Sequence, residues 1–267
     1  MPKSLAALSH AQAKEIQWLL TDVDDTLTWQ GQLPPETLDA LSKLQKAGIK
    51  VVAVTGACAG WCDQIAKLWP LHGVIGENGA FWMQKNQSGF HTQSLSPLPT
   101  MRAQQQALIK QLTQLLRDYP GIDFASDQDF RFCDVAINLG QDRDPVEEDV
   151  AAKLLSEIRQ LTLNGQKVKA TQSSIHINVW VGEHSKRISS EHYLKQQPDF
   201  ATLNLSNVAY IGDSLNDEAM FEWLPVTFGV NNITPLLGKL STLPSFVTAG
   251  NGGYGFAELA EMLINSR

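Results

Sequence analysis

Cysteine is scarce in this chain: 267 residues carry three, Cys58, Cys62 and Cys133, which cannot all pair with one another. That argues against a cross-linked secreted scaffold and makes the cytoplasm the expected compartment. Cys58 and Cys62 fall one helical turn apart. No nearby histidine or second cysteine pair completes a zinc set, so they read as buried helix residues. No apolar run approaches the roughly 18–20 residues needed to span a bilayer. The polar, Ala-rich stretch from Met1 to Ile16 lacks the charged-then-apolar layout of a secretory signal. Positive charge is also in deficit, with 21 Lys and Arg against 28 Asp and Glu and a net charge of −7. That balance argues against a nucleic-acid or anionic-membrane partner. A small anionic substrate remains compatible, because a local cation can invert the field at one site.

What is present is ordinary core material, 43% hydrophobic and 18% charged, enough for one to two domains. The spacing predicts a strand over residues 16–21. A helix follows from Pro34-Pro35-Glu36 to Gly48, then a β-branched strand at 49–54, a helix through Ile65 and Leu68, and a short strand at 74–75. Such alternation indicates a doubly wound parallel α/β sheet with helices on both faces. From about Phe81 the rhythm changes. A helix carries Leu108, Leu112, Leu115 and Leu116, and another carries Ala151, Leu154, Leu155 and Ile158. Strands are expected at 135–139, 167–170 and 175–181. In the last of these, His176, Asn178 and Trp180 alternate with Ile175, Ile177, Val179 and Val181. The first rhythm then returns with a helix near 188–194, strands at 208–211, 226–230 and 245–247, and a closing helix through Phe256, Leu259 and Leu263. The expected organisation is a core of residues 1–83 and 183–267 with an inserted α/β domain at 84–182.

The first predicted strand delivers the chain to Asp22-Val-Asp24-Asp25-Thr26. Parallel α/β sheets place their chemistry at the carboxyl ends of strands. Burying carboxylates together is costly unless a cation or a reaction compensates. Three further strand-end or loop signals follow in order: Thr55, Lys186, and Gly212-Asp213-Ser214-Leu215-Asn216-Asp217.

Taken together, these four signals resemble the motifs of the haloacid dehalogenase-like superfamily. The resemblance implies a Rossmann-like core. The insert, and Glu77-Asn78-Gly79-Ala80 just before it, are similar to the cap-bearing Cof-type and sucrose-phosphatase-like branch. Asn-Gly is also a plain turn signal, so a hairpin reading of that piece stays open. The chemistry matches a Mg²⁺-dependent phosphomonoester hydrolase. Asp22 can attack phosphorus and form an aspartyl-phosphate, and Asp24 can protonate the leaving group. Asp22, Asp213 and the main-chain carbonyl of Asp24 supply hard oxygen ligands for Mg²⁺. Thr55 and Gly56 offer a hydroxyl and backbone N–H groups to the phosphate, and Lys186 offers a point charge. The resemblance implies that Asn216 contacts the phosphate and that Asp217 supports the metal shell or orients Lys186. A bland reading stands beside each residue: a helix cap for a lone aspartate, a surface position for Lys186, a plain strand end for Thr55, loop scaffolding for Asp25.

The insert is expected to cover the core mouth, with Arg131, Asp134, His176, Asn178 and Trp180 as candidate specificity residues. A small sugar phosphate is the first expected substrate and a phosphorylated hydroxy acid the second. Competing readings are a phosphomutase or phosphotransferase, a dehalogenase, and a phosphate-sensing module that keeps its aspartyl-phosphate. Asp24 argues against the last two, because a halide needs no acid and a base beside an acyl-phosphate promotes its hydrolysis. The chain departs from the branch at Ala57, where Arg is common, and at Arg187, where Gly is common. The run Gly250-Asn-Gly-Gly-Tyr-Gly255 has no strand–helix–strand unit after it, so it reads as a surface turn into the closing helix, whose backbone could approach the site.

Overall fold

The computed structural model describes residues 1–140, 143–173 and 175–267. Among them, nine strands form one sheet. Their spatial order is Lys3–Ser4, Phe246–Val247, Val226–Gly229, Val208–Gly212, Trp18–Thr21, Lys50–Val54, Gly73–Gly76, Phe81–Asn86 and Gly89–Ser94. The first seven run parallel; the last two fold back antiparallel. Strands buried on both faces need apolar residues on both. Leu19, Val51, Ala53 and Ile211 enter the core on one face, and Leu20, Val52, Val54 and Tyr210 enter the core on the other.

The second unit is a three-stranded antiparallel sheet of Lys169–Gln172, His176–Trp180 and Val135–Asn138. Helices Leu98–Leu115 and Glu148–Ile158 cover one face of it, around Leu108, Leu112, Ile137, Leu154 and Ile177. Strand alternation then turns His176 and Asn178 to the opposite face. Ile175 does not share the side of Ile177 as expected. Ser173 N–H donates to the His176 carbonyl in a turn that precedes the strand, and Ile175 lines the cavity below this sheet.

The expected change of unit between residues 83 and 84 falls inside the Phe81–Asn86 strand, and the large sheet continues to Ser94. The outer half of that hairpin is polar and exposed, so it carries none of the apolar signal of a buried strand. Short helices at His10–Glu15 and Glu218–Trp223 also escaped the sequence pattern. Among the described residues, no helix is long and apolar enough to cross a membrane.

The glycine run opens the closing helix, Gly252–Asn265, as expected, but Gly252, Gly253 and Gly255 are buried, not at the surface. Gly252 has φ +46, and a Cβ there would collide with the Thr28 carbonyl; one on Gly253 would strike Thr37 Oγ1 and the Leu27 carbonyl. The closing helix therefore seats directly on the loop that follows Asp22-Val-Asp24.

Two imidazoles, His184 buried and His72 half-buried, give the fold an acid-sensitive component. Burial lowers His72 and His184 to about 4 each, Lys50 adding to the effect at His72 and Lys169 at His184. The unfolded chain protonates them near the ordinary value of about 6.5. Their contribution is therefore complete above that pH and is lost as the pH falls toward 4. His184 stacks on Trp180 at 5.6 Å, so His184→Phe keeps the contact. The variant should lose less of its urea midpoint than the parent between pH 6.5 and 4.5; equal losses would remove His184 from the acid response.

Candidate active site

The two central strands, Trp18–Thr21 and Val208–Gly212, are neighbours and end together. Asp22 N–H donates to the Ile211 carbonyl at 2.9 Å, which locks the start of the pentapeptide beside Gly212-Asp213. Lys186 arrives from a third stretch. The side chain of Ser185 accepts the Ile188 N–H and starts the Lys186–Lys195 helix, placing the lysine in its first turn. Its Nζ lies 2.8 Å from Asp22 Oδ1, 2.8 Å from Asp217 Oδ1 and 3.2 Å from Asn216 Oδ1.

Asp217 is fully committed. Tyr210 Oη joins Lys186 on Oδ1, while Oδ2 accepts the Asp213 and Ser214 N–H groups at 3.0 and 3.1 Å. Asp213 is held by Thr26 Oγ1 on one oxygen and Asn232 Nδ2 on the other, each at 3.3 Å. Asn232 also donates to the Asp25 carbonyl and accepts the Gly252 N–H, joining the strand-end loops to the closing helix. The sequence analysis did not single out Asn232. Applied to the strand ending at Val230, the strand-end rule that flagged Asp22 and Asp213 would have reached it.

Carboxylate oxygens of Asp22, Asp213 and Asp217 lie within 4.8 Å of one another, all buried. Burial raises Asp22 to about 7 against the opposing pull of Lys186. Burial, then the charges of Asp22 and Asp217, push Asp213 well above the carboxylate range. Burial works against the charge on Lys186, but Asp217 and Asp22 outweigh it and push its pKa up. Three carboxylates against one ammonium leave a deficit of positive charge, and the donors are hard oxygens. That combination fits a divalent cation of the Mg²⁺ type. With both oxygens of Asp217 taken, Asp22 and Asp213 are the side chains left to hold it.

Asp24 faces elsewhere. Burial, helped by Asp25, raises its pKa, and the opposing charges include Arg131 of the second unit as well as Lys186. A cavity of about 160 Å³ separates the two units here, several times the roughly 30 Å³ that a water occupies in the liquid. Asp22, Asp24, Gly56, Asp213 and Asn216 line its floor, and Arg131, His176 and Asn178 line its roof. Asp134 and Trp180 do not reach it. Asp134 is bound to Arg131 and Asn178, and Trp180 donates to the His184 carbonyl. Thr55 lies beneath the floor, its hydroxyl accepting the Ala57 N–H at 3.0 Å and its own N–H taken by Ile75. Of these neighbouring N–H groups, that of Gly56 is the one without an acceptor among the described residues.

Arg131 lines the roof, but its guanidinium is heavily engaged. It pairs bidentately with Asp127 at 3.0 and 3.1 Å, and its Nη1 donates to Asp134 at 2.9 Å and the Gly56 carbonyl at 3.1 Å. Glu77 supplies a second tie between the units, also not foreseen. The Glu77-Asn78-Gly79 stretch is the turn between the antiparallel strands Gly73–Gly76 and Phe81–Asn86, with φ of 45, 56 and 107. From it the Glu77 carboxylate accepts four backbone N–H groups: Ala59 and Phe132 on one oxygen, Cys133 and Asp134 on the other, at 2.7–3.1 Å. Burial and Asp134 push Glu77 up to about 8, and those donors and Arg131 pull against the shift.

A lysine-clamped group of aspartates at the carboxyl end of a parallel sheet, roofed by a second α/β unit, defines a hydrolase architecture, and the comparisons agree. The family model described as haloacid dehalogenase-like hydrolase matches residues 19–252. The chain belongs to that family. A phosphoglycolate phosphatase from Methanobrevibacter smithii is 24% identical over 251 residues, covering 93% of this chain and 99% of that protein. Among solved structures, the C-terminal domain of C. albicans trehalose-6-phosphate phosphatase superposes with a TM-score of 0.74 at 15% identity, covering 99% of this chain and 98% of that one. A haloacid dehalogenase-like hydrolase from Bacteroides thetaiotaomicron superposes at 0.64 with 14% identity, covering 92% and 98%.

Glu77→Gln keeps the shape but turns an amide N–H₂ toward N–H donors, leaving two of them buried and unpaired. The variant should lose about 3 kcal/mol of stability in urea denaturation. A change of less than about 0.5 kcal/mol, no larger than that of an ordinary surface substitution, would show that the tie contributes nothing.

Proposed function

We propose that this chain is a phosphomonoester hydrolase that passes the phosphoryl group through Asp22. The observation that carries the reading is the division of labour between two carboxylates two residues apart. Asp22 is held by Lys186 within the aspartate cluster, whereas Asp24 lies in the field of Arg131 and Asp127 from the roofing unit. One is placed for phosphorus, the other for the leaving group.

In the first step Asp22 Oδ attacks phosphorus, the bond to the ester oxygen breaks, and Asp24 gives that oxygen its proton. In the second, Asp24 takes a proton from water, the water oxygen attacks phosphorus, and Asp22 leaves with inorganic phosphate released. Lys186 holds Asp22 in line and faces the developing negative charge. Asn216, whose Oδ1 accepts from Lys186 and Ser214 Oγ, keeps its Nδ2 donors for a phosphate oxygen, as Gly56 keeps its N–H. A Mg²⁺ ion held by Asp22 and Asp213, together with the Asp24 carbonyl, would neutralise the phosphate oxygens and let Asp22 approach. Asp217 orients Lys186 and Asp213 and is not a ligand. Residues 98–181 act as the cap over the cavity. The name of the M. smithii relative and the cavity size favour a small ester, a sugar phosphate or a phosphorylated hydroxy acid.

Asp22→Asn should lower turnover of p-nitrophenyl phosphate by about a thousandfold or more. EDTA should suppress the parent, with Mg²⁺ restoring it. Asp24→Asn should slow turnover of a poor leaving group by roughly 10²–10⁴ while trapping phosphorylated enzyme from p-nitrophenyl phosphate, read by intact mass. Substantial turnover by Asp22→Asn would end the nucleophile assignment.

A further inference from the structure

The cavity has a wall that the proposed chemistry does not use. Trp61, Ile65 and Trp69 recur every four residues along one side of the Ala59–Leu68 helix and its cap, and all three line the cavity. Ile65 is 1% exposed, but Trp61 is 55% exposed. An indole left this open at a cavity wall is a flat apolar surface without a protein partner face. Across the cavity stand the roof residues His176 and Asn178.

Apart from Arg131, Ser173 and His176, the polar groups on the leaving-group side are acceptors. Asn178 gives its Nδ2 to Asp134 at 2.8 Å, and its Oδ1, which receives no donor among the described residues, borders Gly56. Asp127 keeps lone pairs beyond those used by Arg131, and Asp24 adds another carboxylate. Arg131 is the one Lys or Arg among the described lining residues, and Asp127 and Asp134 already neutralise it. Position 57, next to Gly56 on the floor, is alanine and adds no charge. A leaving group bearing a carboxylate would therefore meet acceptors and net negative charge. One bearing hydroxyls would meet the complement of its donors.

We propose that Trp61 is a stacking platform for a neutral, polyhydroxylated ring, and that this wall and the acceptor-rich rim make the enzyme select ring-bearing sugar phosphates over carboxylated esters. The inference rests on the hydrolase reading above and narrows its substrate class. The weakly positive C–H face of a pyranose lies on the negative face of the indole, and its hydroxyls donate to Asn178 Oδ1 and Asp127.

The test compares kcat/KM for the 6-phosphates of glucose, mannose and galactose with phosphoglycolate and acetyl phosphate, in the parent, Trp61→Ala and Trp61→Phe. At least one hexose phosphate should exceed phosphoglycolate tenfold in the parent. Trp61→Ala should lose at least tenfold more on that hexose phosphate than on acetyl phosphate, chiefly in KM, and Trp61→Phe should recover most of the loss. Calorimetry on Asp22→Asn should show the same tenfold weakening of hexose-phosphate binding when Trp61→Ala is added. Phosphoglycolate as the preferred ester, or an equal loss on every substrate, would overturn the proposal while leaving the hydrolase intact. No turnover of any of these esters or of the acyl phosphate, acetyl phosphate, would bring down the hydrolase reading and this one together.

Discussion

The whole arrangement hangs on one buried ammonium. Lys186 sits between Asp22 and Asp217, 2.8 Å from each, with Asp213 in the same cluster. A buried carboxylate group of this density is unstable without compensation. The lysine supplies part of it and fixes geometry at the same time. Because it reaches Asp22 from one strand end and Asp217 from the loop after another, it joins segments far apart in sequence. The remaining charge deficit is a structural property of the site before any ligand arrives, and it determines what kind of ligand the site will accept.

Asp22 and Asp24 show how differently two like groups close in sequence can be surrounded. They are separated by a single residue, yet Asp22 is buried against Lys186 and Asp24 is half-buried toward the roof. The chain leaves the strand after Thr21 and turns at 24–27, where the Thr26 and Leu27 N–H groups donate to the Val23 carbonyl, so Asp24 is not kept on the side of Asp22 as two alternate residues of one strand would be. The roof is not a loose lid over this pair. Arg131 reaches the Gly56 carbonyl and Glu77 grips the backbone at 132–134, so the groups lining the roof of the cavity are positioned by contacts that cross between units.

Much of this was legible in the residues themselves. The parallel core followed from apolar β-branched runs such as Lys50–Val54, because a strand buried on both faces cannot hide its composition. The convergence of Asp22, Lys186, Asp213, Asn216 and Asp217 followed from strand ends and resemblance together. What stayed hidden lacks a local pattern. Glu77 acts through backbone donors more than fifty positions away, which leave no side-chain trace. Arg131 lines the cavity roof, but sequence shows its charge and not the two aspartates that pair with it. Trp61 carries no signal of its own in the sequence, because an apolar stripe on a helix ordinarily means core and only exposure distinguishes a wall from an interior.

The seating of Gly252 and Gly253 on the loop after Asp24 bears on how the molecule comes into being. During synthesis the strand carrying Asp22 leaves the ribosome early, whereas the glycines that brace its loop, and the Asn232 contact joined to them, emerge long afterwards. The nascent chain therefore carries Asp22 and Asp24 in an unbraced loop, which can reach its braced form only once the glycine run has been made and the closing helix has docked.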